Sequence, residues 1–199
     1  MKKITAITLL TLSTSAAFSF DLGDIQLWAG AGANRSALVV DWNDGKTNES
    51  TAWGFLFDGS ATGLDLLAAI DAIDPHLVVE TETFSFGTAV KGFGYDADLD
   101  GNFTGANDHY KSGFGYPGEE GYWSYYIGGP RTDFPIWGYA SAGPSDRPLA
   151  DGSWDGWSFT PLDSSGETPG VPTAAPVPEP ATLAALAMGG AALIRRRRR

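Results

Sequence analysis

Apolar and polar residues alternate in short runs along most of the chain, with glycine, aspartate, asparagine and proline between the runs. This two-residue period, rich in aromatic and β-branched residues, predicts strands joined by tight turns. The predicted strands cover residues 36–42, 52–57, 77–79, 83–86, 89–95, 122–127, 135–141 and 154–159. A loop rich in aspartate and glycine is predicted over residues 96–118. The pattern indicates a domain built mainly from β-structure.

A single segment, residues 62–73, has the period of a helix instead. Thr62 occupies the N-cap position and Asp65 the N3 position, which is a variant of the capping box. The apolar residues repeat at helical spacing and are expected to face the sheet: Leu66, Leu67, Ile70 and Ile73. Pro75 ends the helix, because proline disfavours helical backbone in the residue before it.

The order of these elements predicts an α+β fold, with one helix packed on a mainly antiparallel sheet. Four segments resemble small β-grasp domains similar to the C-terminal domain of transcobalamin: Ser60–Leu67, Tyr122–Tyr125, Trp137–Tyr139 and Gly152–Phe159. The resemblance implies a β-grasp-like sheet, but it does not extend to cobalamin binding, because no ligand-contacting residues can be matched. A β-sandwich of the jelly-roll type is the alternative fold.

The first 19 residues have the three-part order of a secretory signal peptide. Lys2 and Lys3 form a basic start, residues 4–12 are apolar, and residues 13–17 are small. This order predicts a signal helix that directs the chain to the Sec translocon and is then removed. A buried first helix is the alternative. The order of basic, then apolar, then small residues disfavours it.

The last 23 residues also have a three-part order. The triplet Pro178-Glu179-Pro180 precedes an apolar run over residues 181–194, and five arginines end the chain: Arg195, Arg196, Arg197, Arg198 and Arg199. Terminal arginines stay on the cytoplasmic side of a membrane, but a stable span needs roughly 20 apolar residues and this run is shorter. It predicts a marginal transmembrane helix that anchors the chain before processing.

This C-terminal order closely resembles the PEP-CTERM sorting signal. The resemblance implies export by a Gram-negative-type bacterium and processing by an exosortase, a membrane enzyme similar to cysteine transpeptidases. It further implies a transient place in the inner membrane, then a place at the cell surface or outside, often with exopolysaccharide and biofilm systems. An ordinary tail anchor is the alternative.

The chain accordingly divides into four predicted parts. They are a signal peptide (1–19), an α+β extracellular domain (20–160), a flexible linker rich in Pro, Ser and Gly (161–176), and the sorting and transmembrane segment (177–199). Seven of the 13 basic residues but only one of the 24 acidic residues lie in the two terminal parts. The domain is therefore more acidic than the whole-chain net charge of −11, which argues against nucleic acid or anionic lipid as its partner.

The predicted acidic loop contains a candidate calcium site. Its spacing, D-x-D-x-D-G, offers oxygen ligands from five residues: Asp96, Asp98, Asp100, Asn102 and Thr104. Gly101 permits the sharp turn of such a loop. Asn107 stands where an EF-hand loop has its bidentate glutamate, which predicts weak affinity. An Asx-rich turn without a metal is the alternative. The chain has no cysteine, so thiol catalysis and zinc–thiolate sites are excluded.

The aromatic residues allow two interpretations. Six of them can form a platform for sugar rings, or they can pair across strands inside the core, which their two-residue period favours: Trp123, Tyr125, Trp137, Tyr139, Trp154 and Trp157. Catalytic motifs are absent from the sequence. We expect a non-enzymatic surface protein with a structural or adhesive role. The alternatives are a carbohydrate- or small-ligand-binding module of the cell envelope, which fits exopolysaccharide as a partner, and a hydrolase that uses carboxylates.

Overall fold

The computed structural model describes residues 20–85, 87–103 and 106–178. These residues form ten strands and one helix: β1 (Trp28–Gly30), β2 (Asn34–Asp41), β3 (Ser50–Phe57), α1 (Gly63–Asp71), β4 (Leu77–Phe84), β5 (Gly87–Tyr95), β6 (His109–Ser112), β7 (Gly121–Gly128), β8 (Gly138–Tyr139), β9 (Ser153–Pro161) and β10 (Thr173–Ala174). The predicted signal helix and the predicted C-terminal helix lie outside the described residues. Within the described part of the chain, no helix has both the length and the apolar character needed to cross a membrane.

The larger of the two sheets is mixed. Its strands lie in the order β1-β3-β2-β9-β7-β8, and β10 also pairs with β3. The β2–β3, β7–β9 and β7–β8 pairs are antiparallel, whereas the β1–β3, β10–β3 and β2–β9 pairs are parallel. The two central strands, β2 and β9, are far apart in sequence, so this sheet depends on contacts between the beginning and the end of the domain.

Both faces of the larger sheet are covered. On β2, Leu38 packs in one core and its neighbour Val39 in the other, because successive residues of a strand point to opposite faces. The first core includes α1 and the smaller sheet. The second includes Leu22 and Ile25, which precede β1. Burial on both faces explains why β2 is apolar at successive positions.

Helix α1 begins with the predicted capping box. The Thr62 hydroxyl accepts a hydrogen bond from Asp65 N at 3.2 Å, and the Asp65 carboxylate accepts one from Thr62 N at 2.8 Å. Two amide groups that a helix N-terminus leaves unpaired are thereby satisfied. The predicted apolar face is buried through Ile70. The helix ends at Asp71, however, so Ile73 lies beyond it and is 39 % exposed.

The smaller sheet is antiparallel, in the order β4-β5-β6, and packs on the larger one through aromatic rings. Phe93 of β5 meets Trp123 edge to face, with ring centroids 4.8 Å apart, and lies 5.8 Å from Trp157. The Trp42 indole donates a hydrogen bond to the Phe93 carbonyl at 3.0 Å. Edge-to-face pairs add to the stabilisation from buried area, so these rings hold the two sheets together.

The structure confirms a mostly β-structure with one short helix and corrects several details. The prediction of a mainly antiparallel sheet is wrong for the larger sheet, which is mixed. The predicted strands 77–79 and 83–86 form one strand, β4, which has a register shift between Glu80 and Thr81. Of residues 135–141, Gly138–Tyr139 pair as β8, and β6 lies inside the predicted loop. The β-grasp-like arrangement stays a prediction.

The C-terminal half of the predicted flexible linker lies on the domain. Residues 169–175, here named the strap, pair with the edge of β3 through β10. Pro169, Pro172 and Ala175 are buried, at intervals of three residues. Small and proline residues at this spacing suit an extended chain with three residues per turn. The composition that predicts a linker is therefore also that of a docked strand.

Candidate functional site

The acidic loop between β5 and β6 brings three carboxylates together. One oxygen each of Asp96, Asp98 and Asp108 lies within 4.8 Å of the other two. Asp96 directly follows β5 and Asp108 directly precedes β6, and the pairing of Tyr95 with His109 holds the two ends of the loop side by side. The sheet register thus positions two of the three carboxylates.

The other predicted ligands do not join this cluster. Asp100 Oδ1 accepts hydrogen bonds from the Asn102 amide at 2.7 Å and from its side chain at 3.2 Å, so this carboxylate closes its own turn. Thr104 lies outside the described residues. Sequence reasoning misses Asp108, because the twelve-residue loop pattern ends at Asn107. A sequence signal for Asp108 is its position directly before the next strand, β6, which pairs with β5.

Asp96 is the most buried of the three carboxylates, with 1 % of its surface exposed. It accepts hydrogen bonds from His76 Nδ1 at 2.9 Å, from Gly101 N at 2.8 Å and from Asp100 N at 3.2 Å. Burial by itself raises the pKa of Asp96, but the bonds from His76 and the backbone outweigh it, so the pKa lies below its ordinary value. Asp96 is therefore ionised at neutral pH.

Asp98 is exposed, and its carboxylate faces like charges. Partial desolvation and the negative charges of Asp100 and Asp108 raise its pKa above the ordinary value, although the Asp100 amide lowers it. A divalent cation relieves such repulsion. The dimensions suit calcium, because Ca–O distances of about 2.3–2.6 Å allow oxygens 4.8 Å apart to share one ion.

A buried histidine fixes one end of the loop. His109 is fully buried, stacks on Trp42 with ring centroids 4.9 Å apart, and places Nδ1 3.0 Å from Asp44 Oδ2. Lys46 Nζ donates a hydrogen bond to the carbonyl of Asp108. The β2–β3 turn is thereby fastened to the acidic loop, and the position of Asp108 depends on both.

A second feature is a cavity of about 320 Å³, lined by both sheets and by the loop of residues 142–146. Six aromatic rings form much of its wall: Phe114, Tyr122, Trp123, Tyr125, Tyr139 and Trp157. Polar groups come from Thr88, Ser145 and Asp146. Among the described residues that line it, none is lysine or arginine. Such a cavity disfavours an anionic ligand and suits a small ligand with an apolar face.

A buried polar cluster lies behind the cavity wall. The Tyr125 hydroxyl donates to Asp155 Oδ2, and Arg147 Nε lies 3.4 Å from Asp155 Oδ1. Burial raises the pKa of Asp155 to about 6, although Tyr125 and Arg147 lower it. A side chain at Gly63 would place Cβ 2.6 Å from Asp155 Oδ2, so the first residue of α1 must be small. The Tyr125 ring joins this cluster to the cavity.

The predicted aromatic platform is divided between the two faces of the larger sheet. Trp123, Tyr125 and Trp157 are buried in the first core and Trp154 in the second. Tyr125 and Trp157 are cross-strand partners and stack with ring centroids 4.3 Å apart. Trp137 is half-buried, whereas Tyr139 is 67 % exposed at the cavity rim. The cross-strand interpretation therefore describes most of these rings.

The sorting segment begins where the described chain ends. Pro178 is described, whereas Glu179, Pro180 and the arginines Arg195 to Arg199 lie outside the described residues. Residues 176–199 match the family model of the PEP-CTERM protein-sorting motif. The chain carries a PEP-CTERM sorting motif. This motif implies a protein that is exported, is processed by an exosortase, and reaches the cell surface or the extracellular space. No curated protein and no solved structure matches the chain.

Proposed function

We propose that this PEP-CTERM protein is a non-catalytic component of the cell surface with a structural or adhesive role. The supporting observation is that none of its seven tryptophans is exposed. Six of the seven indole N–H groups donate hydrogen bonds, five to backbone carbonyls and one to Asp74. The tryptophans therefore support a stabilising role inside an exported domain that has no disulfides, rather than a role as an exposed ligand platform.

The proposal includes calcium as a stabiliser of the acidic loop. Asp96, Asp98 and Asp108 supply three carboxylate oxygens within 4.8 Å of one another, and hydrogen bonds already orient Asp96. The ion would tie β5 to β6 beside the His109 and Asp44 contact. Weak binding, with a dissociation constant of about 0.1–1 mM, is sufficient outside cells.

Calcium is expected to raise the melting temperature of the domain of residues 20–178 by roughly 3–6 °C at about 10 mM. The reason is that an ion bound only by the folded state adds about 1.4 kcal/mol when its concentration is ten times its dissociation constant. Asp98→Asn keeps the size of the side chain but removes a ligand charge, so it should abolish most of the shift. Calorimetric titration and thermal melts measure both effects.

The matched control is Asp163→Asn, which removes an exposed carboxylate far in sequence from the loop. It should respond to calcium as the unchanged domain does. In cells, the Asp98→Asn chain should reach the surface in normal amounts but retain less attachment in calcium-containing medium. Absence of binding heat, together with equal melting shifts in both variants, would contradict the calcium proposal.

The second candidate function is binding of a neutral sugar ring in the aromatic cavity. Aromatic faces stack on the apolar face of a sugar, and Thr88 and Ser145 offer hydrogen bonds to its hydroxyls. Asp146 is the single carboxylate among the described lining residues, whereas glycoside hydrolysis commonly needs a pair. The cavity therefore supports binding of a saccharide without cleavage.

Tyr139→Ala is expected to weaken saccharide binding about tenfold, because loss of one stacking ring costs about 1–1.5 kcal/mol. Tyr139 is largely exposed, so the fold should survive the substitution. The measurement is a screen of neutral oligosaccharides on the domain, followed by titration of the strongest binder. Tyr110→Ala, an exposed ring on the smaller sheet, is the control. Equal losses in the two variants, or no binder in the screen, would dismiss the cavity as a saccharide site.

A further inference from the structure

The last fully buried residue of the domain, Ala175, directly precedes the sorting motif. Ala175 is fully buried, and its amide donates a hydrogen bond to the Ala52 carbonyl at 2.9 Å. The PEP-CTERM match starts at the next residue, Pro176. From Ala175 to Pro178 an extended chain reaches at most roughly 10 Å. The motif is thus attached to the domain without a spacer.

The strap is held along its length by different elements of the domain. At its start, Trp137 Nε1 donates to the Pro169 carbonyl at 3.1 Å, and Gly170 N donates to Asp41 Oδ2 at 2.7 Å. Further along, Thr173 Oγ1 donates to the Ser50 carbonyl at 3.4 Å. These contacts fix the direction in which the chain leaves the domain, because β10 runs parallel to β3.

The beginning of the described chain lies beside the strap. One surface cavity of about 530 Å³ is lined by Phe20, Asp21, Asp24 and Gln26 together with residues 171–174. Asp21, Asp24 and Val171 are exposed there. The signal peptide is predicted to precede Phe20 directly, so both membrane-directed segments leave the domain from this surface. We name it the exit surface, defined by Phe20, Asp21, Asp24, Gln26 and residues 171–174.

We propose that the exit surface is a contact surface for the exosortase. The enzyme then contacts the folded domain while it processes the sorting motif. An enzyme that holds the Pro-Glu-Pro triplet lies within about 10 Å of the domain, so it meets this surface. The exposed carboxylates of Asp21 and Asp24 fit a partner surface with basic residues. The domain therefore adds binding contacts to those of the motif.

A spacer tests this proposal in cells that produce the full chain and its exosortase. Insertion of about 12 Gly and Ser residues between Ala175 and Pro176 keeps the strap and the motif intact. It separates them by an average of roughly 20 Å. Processing, followed by the loss of mass of the chain, should slow about tenfold, because contacts to motif and domain no longer act together. An unchanged or faster rate would overturn the proposal.

Two further variants test the surface itself. Asp21→Asn with Asp24→Asn removes both charges, while the amide oxygens still accept the hydrogen bonds from Gly23 N and Asp21 N. Processing should slow, whereas Glu82→Gln with Asp163→Asn, two exposed acids elsewhere, should leave it unchanged. A photo-crosslinking residue at Val171 should attach to the exosortase, and one at Tyr110, an exposed position on the smaller sheet, should not. Equal processing by both charge variants, or equal crosslinking at both sites, would refute the proposal.

Discussion

Removal of the strap is expected to lower the free energy of unfolding of the domain by about 2–4 kcal/mol. The comparison is between a chain of residues 20–163 and one of residues 20–178, which both lack the sorting motif from Glu179 onward. Loss of this stability corresponds to a melting temperature lower by roughly 10 °C for a domain of this size. Urea unfolding and thermal melts measure the difference.

The expected loss has three physical sources. The strap buries Pro169, Pro172 and Ala175, and it satisfies backbone groups at the edge of β3. Asp41 is 8 % exposed, and its burial raises its pKa, whereas the hydrogen bond from the Gly170 amide lowers it. Removal of the strap would take this hydrogen bond away. A free β3 edge would also invite pairing with other chains. The shorter chain should therefore aggregate more readily as well.

A synthetic peptide of residues 164–178 provides the control for this truncation. Because the strap binds by adding a strand, the peptide in excess should restore much of the lost melting temperature. A peptide with Ala175→Asp places a charge in a fully buried position and should fail to do so. If the shorter chain melts like the longer one, residues 169–175 contribute nothing and are a flexible linker as the composition predicts.

The helix and its cap could be predicted from sequence because their determinants are local. Thr62 and Asp65 are three residues apart, and both hydrogen bonds of the capping box form within that interval. The sheet order could not be predicted in this way. β2 pairs with β9 across more than one hundred residues, and nothing in either sequence specifies a parallel partner. Strands buried on both faces also lack the alternation that indicates which side faces the core.

The same difference between local and long-range determinants applies to the candidate sites. Asp96 and Asp98 lie in one short motif and were predicted, whereas Asp108 joins them through the pairing of β5 with β6. The cavity combines residues from β5, β7, β8 and β9, so no single segment reveals it. The docking of the strap could not be predicted for another reason: flexible linkers and docked extended chains share a proline-rich composition.

Replacement of the buried carboxyl of Asp155 is expected to change how the stability of the domain depends on pH. Burial raises the pKa of Asp155 to about 6 in the folded protein, against an ordinary value of 3.8. The folded state therefore binds this proton more tightly than the unfolded chain. Stability from this group is complete below about pH 4 and is lost as the pH rises through about 6.

The loss amounts to about 3 kcal/mol by pH 8, at about 1.4 kcal/mol for each pH unit that separates the two pKa values. Asp155→Asn cannot ionise, but its amide still offers a hydrogen bond to the Tyr125 hydroxyl. The stability advantage of the unchanged domain over this variant should therefore shrink by about 3 kcal/mol between pH 4 and pH 8. Urea unfolding at successive pH values measures the difference.

Two other charged groups, Asp96 and Arg147, determine how this pH prediction is controlled and limited. Asp96, whose pKa is lowered, contributes stability above its ordinary pKa that is lost as the pH falls, and this occurs in both proteins. Subtracting one curve from the other therefore isolates Asp155. Arg147 loses its partner in the variant at every pH, which offsets the whole curve without changing its slope. Asp163→Asn should follow the unchanged domain throughout. Parallel curves for Asp155→Asn and the unchanged domain would mean that Arg147 keeps Asp155 ionised in the folded state across this range.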